Sequence, residues 1–241
     1  MIRIFENKVT LDNELADYFV SKAQQAIMEK GKFTVALTGG SSPAGLYQLL
    51  ATPAYQEKID WSKVYVFWGD ERWVPLDDEK SNAGAAFKDL LNHIPVPKDQ
   101  IFPMWKDGVS AQEYAKEYEG LLEQHLTNGE EFDLIILGMG DDGHTASLFP
   151  NQDIILKEKD KKVAAYFLAP QDMYRITLTA PLINKAKNIV FLVFGDKKSE
   201  ALYQVLQGAP NADLYPSQLI TKDAERVTWM VDQQAAKKLK Q

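Results

Sequence analysis

The sequence predicts an α/β fold, namely an open, mostly parallel sheet with helices on both faces, formed by a single domain over residues 1–241. Short apolar runs alternate with amphipathic segments along the chain, as in successive strand–helix units. The runs are almost continuously apolar, which is typical of strands buried on both faces of a parallel sheet. A chain of 241 residues with 45% hydrophobic and 25% charged residues can bury one large core.

Each predicted strand is a short apolar run, and most of these runs stop at a glycine. The runs are 33–38, 64–68, 132–137, 189–194 and 227–231, and the alternating segment 175–179 predicts a further strand. In open α/β sheets, ligands bind at the carboxyl ends of the strands. We therefore expect the functional residues in the loops that follow these runs.

The segments between the strands have helical periodicity. Apolar residues from Leu11 to Ile27 predict a first helix, which Gly31 stops. Ser42 as N-cap, with Pro43 in the first helical position, predicts a second helix. Further helices are predicted over about 110–125 and from near Lys197 to Gly208. This alternation implies right-handed crossovers between parallel strands.

Composition excludes several classes of protein. The net charge of −7 argues against nonspecific binding to nucleic acid or to anionic membranes, although a few local cations can still bind a small anion. The absence of cysteine excludes disulfides, thiolate catalysis and cysteine-based zinc sites. No apolar run has the length of a signal peptide core or a membrane span, so we expect a cytoplasmic protein. We expect a monomer or a small homo-oligomer.

The first candidate loop follows the first buried strand and contains Gly39, Gly40 and Ser41. Glycines let backbone N–H groups approach an anion closely, and the next helix adds a favourable dipole. The loop lacks the Lys-Ser/Thr ending of a P-loop and the spacing of a dinucleotide-binding fingerprint. It is interpreted either as a phosphate-binding loop or as a tight turn that caps a helix.

The second candidate loop places three charges, Asp70, Glu71 and Arg72, directly after a buried strand. The guanidinium fork of Arg72 suits a phosphate or a carboxylate, with Asp70 or Glu71 fixing its orientation. The alternative is a surface salt-bridge cluster. The position at the carboxyl end of a strand favours a functional role.

The third candidate loop, 138–150, is the most informative because it contains His144 among glycines and acids. Histidine can activate water near neutral pH, and a neighbouring carboxylate, Asp142 or Asp141, can set its tautomer. The other histidines, His93 and His125, fall near predicted helix ends, where a cation is favourable. No metal-ligand spacing such as H-E-x-x-H is present, so a metal site is not expected.

Cations follow two of the later strands. Arg175 opens an alternating strand segment, and Lys197 and Lys198 come after a buried strand, where either lysine could meet a phosphate or remain solvated. No serine lies in a G-x-S-x-G elbow, which counts against a serine esterase.

Four of these segments together resemble the 6-phosphogluconolactonase family. The matching segments are 38–43, 70–75, 138–150 and 175–179, in family order and across nearly the whole chain. The segment around Gly143 and His144 is specific, whereas the glycine loop alone is not. Asp142 matches the family's acid, and Asp141 stands where the family pattern is variable.

The resemblance implies a Rossmann-like fold, no metal, no organic cofactor and a phosphosugar lactone as substrate. It implies that His144 is the general base for water, with Asp142 holding its ring in the useful tautomer. The implied substrate-binding and phosphate-binding residues are Gly39, Gly40, Ser41, Asp70, Arg72, Arg175 and Lys198.

Two other functions are compatible with parts of this sequence. Glucosamine-6-phosphate deaminase is similar in fold and shares the G-x-D-G-H loop, but residues 145–150 contain no acid that could assist ring opening. Sugar-phosphate sensors of related fold usually carry a DNA-binding helix pair, for which we expect no room in 241 residues. An intact Asp142-Gly143-His144 segment also disfavours a non-catalytic sensor.

Overall fold

The computed structural model describes residues 1–40, 42–126, 131–220 and 225–240. The strands of this part of the chain form two sheets. They are β1 (Ile2–Phe5), β2 (Phe33–Leu37), β3 (Val64–Trp68), β4 (Asp70–Arg72), β5 (Leu134–Gly138), β6 (Val163–Leu168), β7 (Met173–Leu178), β8 (Ile189–Val193) and β9 (Val227–Asp232).

Six of the strands form the main sheet in the order β1-β9-β8-β5-β2-β3. All neighbouring pairs in it are parallel. Every residue of β2 and β8 is buried, which explains why these runs are continuously apolar instead of alternating. The predicted α/β class with a mostly parallel sheet is confirmed.

Helices fill the connections between the strands. They are α1 (Lys8–Lys30), α2 (Ala44–Leu50), α3 (Pro53–Gln56), α4 (Asn82–Ala86), α5 (Ala111–His125), α6 (Asp153–Leu156), α7 (Ala180–Ile183), α8 (Ser199–Gln207) and α9 (Gln233–Ala236). Helix α1 ends at Gly31, whose φ of 77° is left-handed. Helix α5 begins with a capping box between Ser110 and Glu113. The end of α1 and the start of α5 therefore agree with the predicted helices.

One predicted helix start is wrong. Helix α2 begins at Ala44 with Pro43 in the N-cap position and no side-chain cap, so Ser42 does not cap it. Ser42 and Pro43 form a turn before the helix instead. The later helix begins near Lys197 as predicted, since residues 196–198 form a 3₁₀ turn that leads directly into α8 at Ser199.

A small antiparallel sheet, β4-β7-β6, was not predicted. Strand β4 has only three residues, all charged, and the sequence pattern therefore suggests a loop. It continues directly from β3 through Gly69, whose N–H donates to Leu37 O at 2.8 Å and whose carbonyl accepts from Leu178 N at 2.9 Å. Gly69 thus joins the two sheets at the carboxyl end of the main one.

The longest described helix, α1, has 23 residues and carries charged side chains along its length. None of the helices that the structure describes has an apolar stretch of the length that a membrane span requires.

Candidate active site

A pocket of about 270 Å³ opens at the carboxyl end of the main sheet, where the strand-end loops meet the small antiparallel sheet. Its lining residues are Thr38, Gly39, Gly40, Ser42, Asp70, Arg72, Asn82, Gly138, Met139, Gly140, His144, Ala146, Phe149, Gln171, Arg175 and Lys198. The lining therefore combines glycine backbone, three cations and one histidine.

The pocket brings together most of the residues singled out in the sequence. Those that line it are Gly39, Gly40, Asp70, Arg72, His144, Arg175 and Lys198. Asp142 does not line the pocket, but its carboxylate contacts the Nδ1 atom of His144. Ser41 lies outside the described residues, and Lys197 is not part of the lining.

His144 and Asp142 form a hydrogen-bonded pair. The Nδ1 atom of His144 lies 2.6 Å from Oδ1 of Asp142, and the same oxygen accepts from the His144 backbone N–H at 3.0 Å. Partial burial raises the pKa of Asp142, but hydrogen bonds and the charge of His144 outweigh it, so the pKa lies below its usual value. An ionised Asp142 fixes the Nδ1–H tautomer and leaves Nε2 able to accept a proton.

Asp141 has a different partner. Its Oδ1 atom lies 2.7 Å from Lys198 Nζ, at the edge of the pocket. Of the two adjacent acids, Asp142 is therefore the one placed to orient His144.

Glycines and an aromatic ring shape the histidine loop. Gly140 N donates to His144 O at 2.8 Å, which folds the loop back on itself. Gly143 takes a φ of 79°, a conformation that side-chain-bearing residues rarely adopt. The ring of Phe149 stacks on that of His144 with centroids 4.0 Å apart and planes 22° apart. The histidine is thus held at one nitrogen and on one face.

The two arginines lie opposite each other on β4 and β7, where Arg72 pairs with Arg175 in the strand register. Arg175 is only 4% exposed, and its guanidinium donates to Gln171 Oε1 and lies 3.7 Å from Asp70 Oδ2. Burial lowers the pKa of Arg175, and the charge of Asp70 partly opposes this. The buried Nε atoms of both arginines have no hydrogen-bond partner. Such donors suit an anionic ligand.

The guanidinium of Arg72 is not oriented by either acid beside it, contrary to the expectation from sequence. Its terminal nitrogen donates to the carbonyl of Lys80 at 2.8 Å. The carboxylate of Glu71 instead accepts from the Arg72 backbone N–H at 2.8 Å. The short strand β4 turns successive side chains to opposite sides, so Glu71 faces away from its neighbours' side chains.

Asp70 is a structural junction as well as a lining residue. Its carboxylate accepts from Ser147 Oγ at 2.6 Å and from Asn82 Nδ2 at 3.2 Å. It thereby ties the histidine loop and α4 to strand β4.

Glu71 is fully buried, and neutral donors bind its carboxylate. Its carboxylate accepts from the backbone N–H groups of Arg72, Asn82 and Ala83 and from Ser81 Oγ. Burial raises its pKa to about 7, although the three backbone hydrogen bonds act in the opposite direction. Glu71 therefore anchors the start of α4 beside the pocket.

Sequence reasoning missed Asn82, Gln171 and the stacking role of Phe149. Asn82 is 2% exposed and donates to the carbonyl of Asp70 at 2.9 Å. Its side chain lies where a Cβ of Gly39 would be, with Oδ1 only 1.8 Å from that position, so the glycine is required for this packing. The N-cap Ser81 before Asn82 was a usable signal for α4, but nothing in the sequence placed Gln171 against Arg175.

No group of three or more potential metal ligands occurs among the histidines, aspartates and glutamates that the structure describes. The candidate site therefore consists of a His–Asp pair, three cations and glycine backbone.

A parallel sheet with helices between its strands and a pocket at its strand ends defines the class as a Rossmann-like α/β protein, and the three cations and the His–Asp pair of the pocket suit an anionic small-molecule ligand. Residues 6–229 match the family described as glucosamine-6-phosphate isomerases/6-phosphogluconolactonase, and the chain belongs to this family.

Similar proteins span almost the whole chain. A 6-phosphogluconolactonase of Synechocystis sp. is 37% identical over 245 residues, covering 99% of this chain and 98% of that protein. A rice (Oryza sativa) protein described as probable 6-phosphogluconolactonase 3, chloroplastic, is 37% identical over 98% of this chain and 75% of its own length. The crystal structure of 6-phosphogluconolactonase from Thermotoga maritima superimposes with a TM-score of 0.81 at 28% identity, covering 96% of this chain and 99% of that one.

Proposed function

We propose that this protein hydrolyses the ring ester of 6-phosphogluconolactone to 6-phosphogluconate, the lactonase step of the oxidative pentose phosphate pathway. The observation that carries the proposal is the 2.6 Å contact between His144 and Asp142 in a pocket that also contains Arg72, Arg175 and Lys198. The full-length similarity to proteins named 6-phosphogluconolactonase supports the choice of substrate.

In the proposed mechanism, His144 is the general base. With Nδ1 bound to Asp142, its Nε2 atom takes a proton from water as the water oxygen bonds to the lactone carbonyl carbon. The tetrahedral oxyanion is stabilised by backbone N–H groups of the glycine loop. When the bond from C1 to the ring oxygen breaks, the protonated His144 returns its proton to that oxygen, and the open-chain acid is released.

The phosphate anchors the substrate at the other end. We assign it to Arg72, Arg175 and Lys198 together with the Gly39-Gly40 backbone, and to Ser41, which lies outside the described residues. The unpartnered Nε atoms of the two arginines support this assignment. Binding of the phosphate also holds the lactone carbonyl in position for attack by water. Such positioning can supply a large part of the rate enhancement of an enzyme.

The deaminase alternative is less compatible with the loop after the histidine. Thr145 donates to the carbonyl of Gly138 at 2.8 Å, and Ser147 is bound to Asp70. No acid occurs from 145 to 150, where ring opening of an amino sugar would need one. A purely sensing role has no use for an aligned His–Asp pair.

The proposal includes a metal-free reaction, no nucleic-acid or membrane partner, and action as a monomer or small homo-oligomer in the cytoplasm. The net charge of −7 supports a small-molecule substrate bound by local cations over a polyanionic partner.

The direct test is to incubate the purified protein, after dialysis against EDTA, with 6-phosphogluconolactone and separately with glucosamine-6-phosphate. Acid release and ammonia release are followed, with spontaneous lactone hydrolysis subtracted. We expect enzymatic acid release from the lactone and no ammonia. Ammonia without acid release would identify a deaminase, and activity restored only by an added divalent ion would contradict the metal-free mechanism.

A further inference from the structure

The backbone carbonyl of Gly143, the residue just before His144, is held by a segment distant in sequence. Ser217 donates to this carbonyl twice, from its backbone N–H at 3.0 Å and from its Oγ at 2.8 Å. Ser217 is fully buried, and 74 residues separate the two positions. A single carbonyl with two donors from one residue is fixed in direction as well as in position.

The same segment also limits the space around Gly143. A Cβ on Gly143 would lie 2.9 Å from Cδ1 of Tyr215. Because the φ of Gly143 is 79°, the chain turns sharply there, and a change in its orientation would swing His144.

The segment is itself anchored. Tyr215 N donates to Asn211 O at 2.9 Å, and Asn184 Nδ2 donates to the carbonyl of Leu219 at 2.8 Å. Residues 216–220 form a 3₁₀ turn, which these two hydrogen bonds connect to neighbouring segments. The segment is therefore tied to the rest of the fold on both sides of Ser217.

We propose that Ser217 is a positioning residue for catalysis, which acts by holding Gly143 and through it the ring of His144 against Asp142. This inference rests on the proposed function. The Ser217 N–H already satisfies the Gly143 carbonyl, so its hydroxyl is not needed to compensate for burial of that carbonyl. The second bond serves to align the loop.

The test is Ser217→Ala, which removes only the hydroxyl. We expect kcat for the lactone to fall about 3- to 10-fold with KM within about 2-fold of the parent, since one neutral hydrogen bond aligns the base but does not touch the phosphate. Ser217→Thr, which keeps the hydroxyl, should restore most of kcat. Ser217→Cys replaces Ser217→Ala if the alanine variant does not fold.

The matched control is Thr34→Val. Thr34 is also fully buried, and its Oγ1 donates to Asp133 Oδ2 at 2.9 Å, at the amino end of β2 away from the pocket. This variant should lose stability without loss of kcat. Unchanged kcat in Ser217→Ala, or the same kinetic effect in both variants, would overturn the proposal.

A spectroscopic measurement separates this inference from the proposed function. The Nδ1 proton of His144, assigned by its loss in His144→Ala, should give a sharp downfield NMR resonance in the parent protein and a broadened or shifted one in Ser217→Ala. An unchanged resonance would contradict the positioning role. Because the resonance needs no substrate, it tests the positioning of His144 even if the lactone is not hydrolysed.

Discussion

Gly140 packs so closely against His144 that a Cβ built on the glycine would lie 2.0 Å from the ring nitrogen Nδ1. The same atom would lie 2.4 Å from Oδ1 of Asp142. Both distances are far below van der Waals contact. Any side chain at position 140 would therefore collide with the His–Asp pair, and the geometry of the pair depends on a glycine there.

The first prediction concerns Gly140→Ala. The added methyl group must push the ring of His144 or the carboxylate of Asp142 aside, and misplacement by about 1 Å costs on the order of 100-fold in rate. We expect kcat for the lactone to fall by about that factor while circular dichroism shows a folded protein.

Gly120→Ala is the matched control for this change. Gly120 lies in α5, and a Cβ there meets nothing within 4 Å. Alanine in a helix interior is more stable than glycine by roughly 0.5–1 kcal/mol, so this variant should keep full activity and melt slightly higher. Full activity in Gly140→Ala would show that the close packing around the pair is not needed.

The second prediction concerns the phosphate. Loss of a charge-assisted hydrogen bond is worth roughly 1.5–3 kcal/mol, so Arg72→Ala should raise KM for 6-phosphogluconolactone roughly 10- to 100-fold. Hydrolysis of unphosphorylated gluconolactone should change little, because that substrate has no phosphate to lose. Steady-state kinetics on both lactones check this.

Arg3→Ala provides the control for loss of an arginine. Arg3 forms an ion pair with Glu14 on β1 and α1, outside the pocket lining. Its removal should leave both KM values unchanged. Equal losses on the two lactones in Arg72→Ala would mean that Arg72 supports the structure or the chemistry and not phosphate binding.

The third prediction concerns the pH dependence of stability. The carboxyl of Glu71 has a pKa of about 7 in the folded protein, raised by burial from an ordinary value of 4.5. It binds its proton more tightly in the folded state, so the free energy of unfolding should fall as pH rises from about 4.5 to about 7. The contribution is on the order of 3 kcal/mol.

Urea unfolding of the parent and of Glu71→Gln at pH 5 and pH 7.5 measures this contribution. At pH 5, where Glu71 is protonated in the folded protein, the glutamine variant should still be less stable than the parent, because its NH2 group brings an extra donor towards backbone N–H groups that need an acceptor. The free energy of unfolding of the variant should nevertheless fall less from pH 5 to pH 7.5 than that of the parent. Parallel losses would show that Glu71 titrates near its ordinary value.

The sequence predicted the main sheet because buried parallel strands such as β2 and β8 are continuously apolar and end at glycines. It also identified the histidine loop, since glycines, acids and His144 occur together after a strand. These features are local, and local pattern is what a sequence displays directly.

The rest of the site depends on contacts between distant segments. The pairing of Arg72 with Arg175 requires the small antiparallel sheet, and β4 is too short and too charged to show a strand pattern. The contacts of Gln171 with Arg175 and of Ser217 with Gly143 come from turns that have no chemical signature of their own. Tertiary pairing decides such contacts, and no local pattern encodes it.

The mechanism depends above all on activation of the attacking water by His144, which His144→Ala removes. General-base catalysis typically contributes about 10²–10⁴-fold, so kcat for 6-phosphogluconolactone, corrected for spontaneous hydrolysis, should fall by that order. Circular dichroism and the melting temperature should show a folded protein, since the imidazole lies at the pocket and outside the core. A folded variant with near-normal kcat would show that His144 is not the general base.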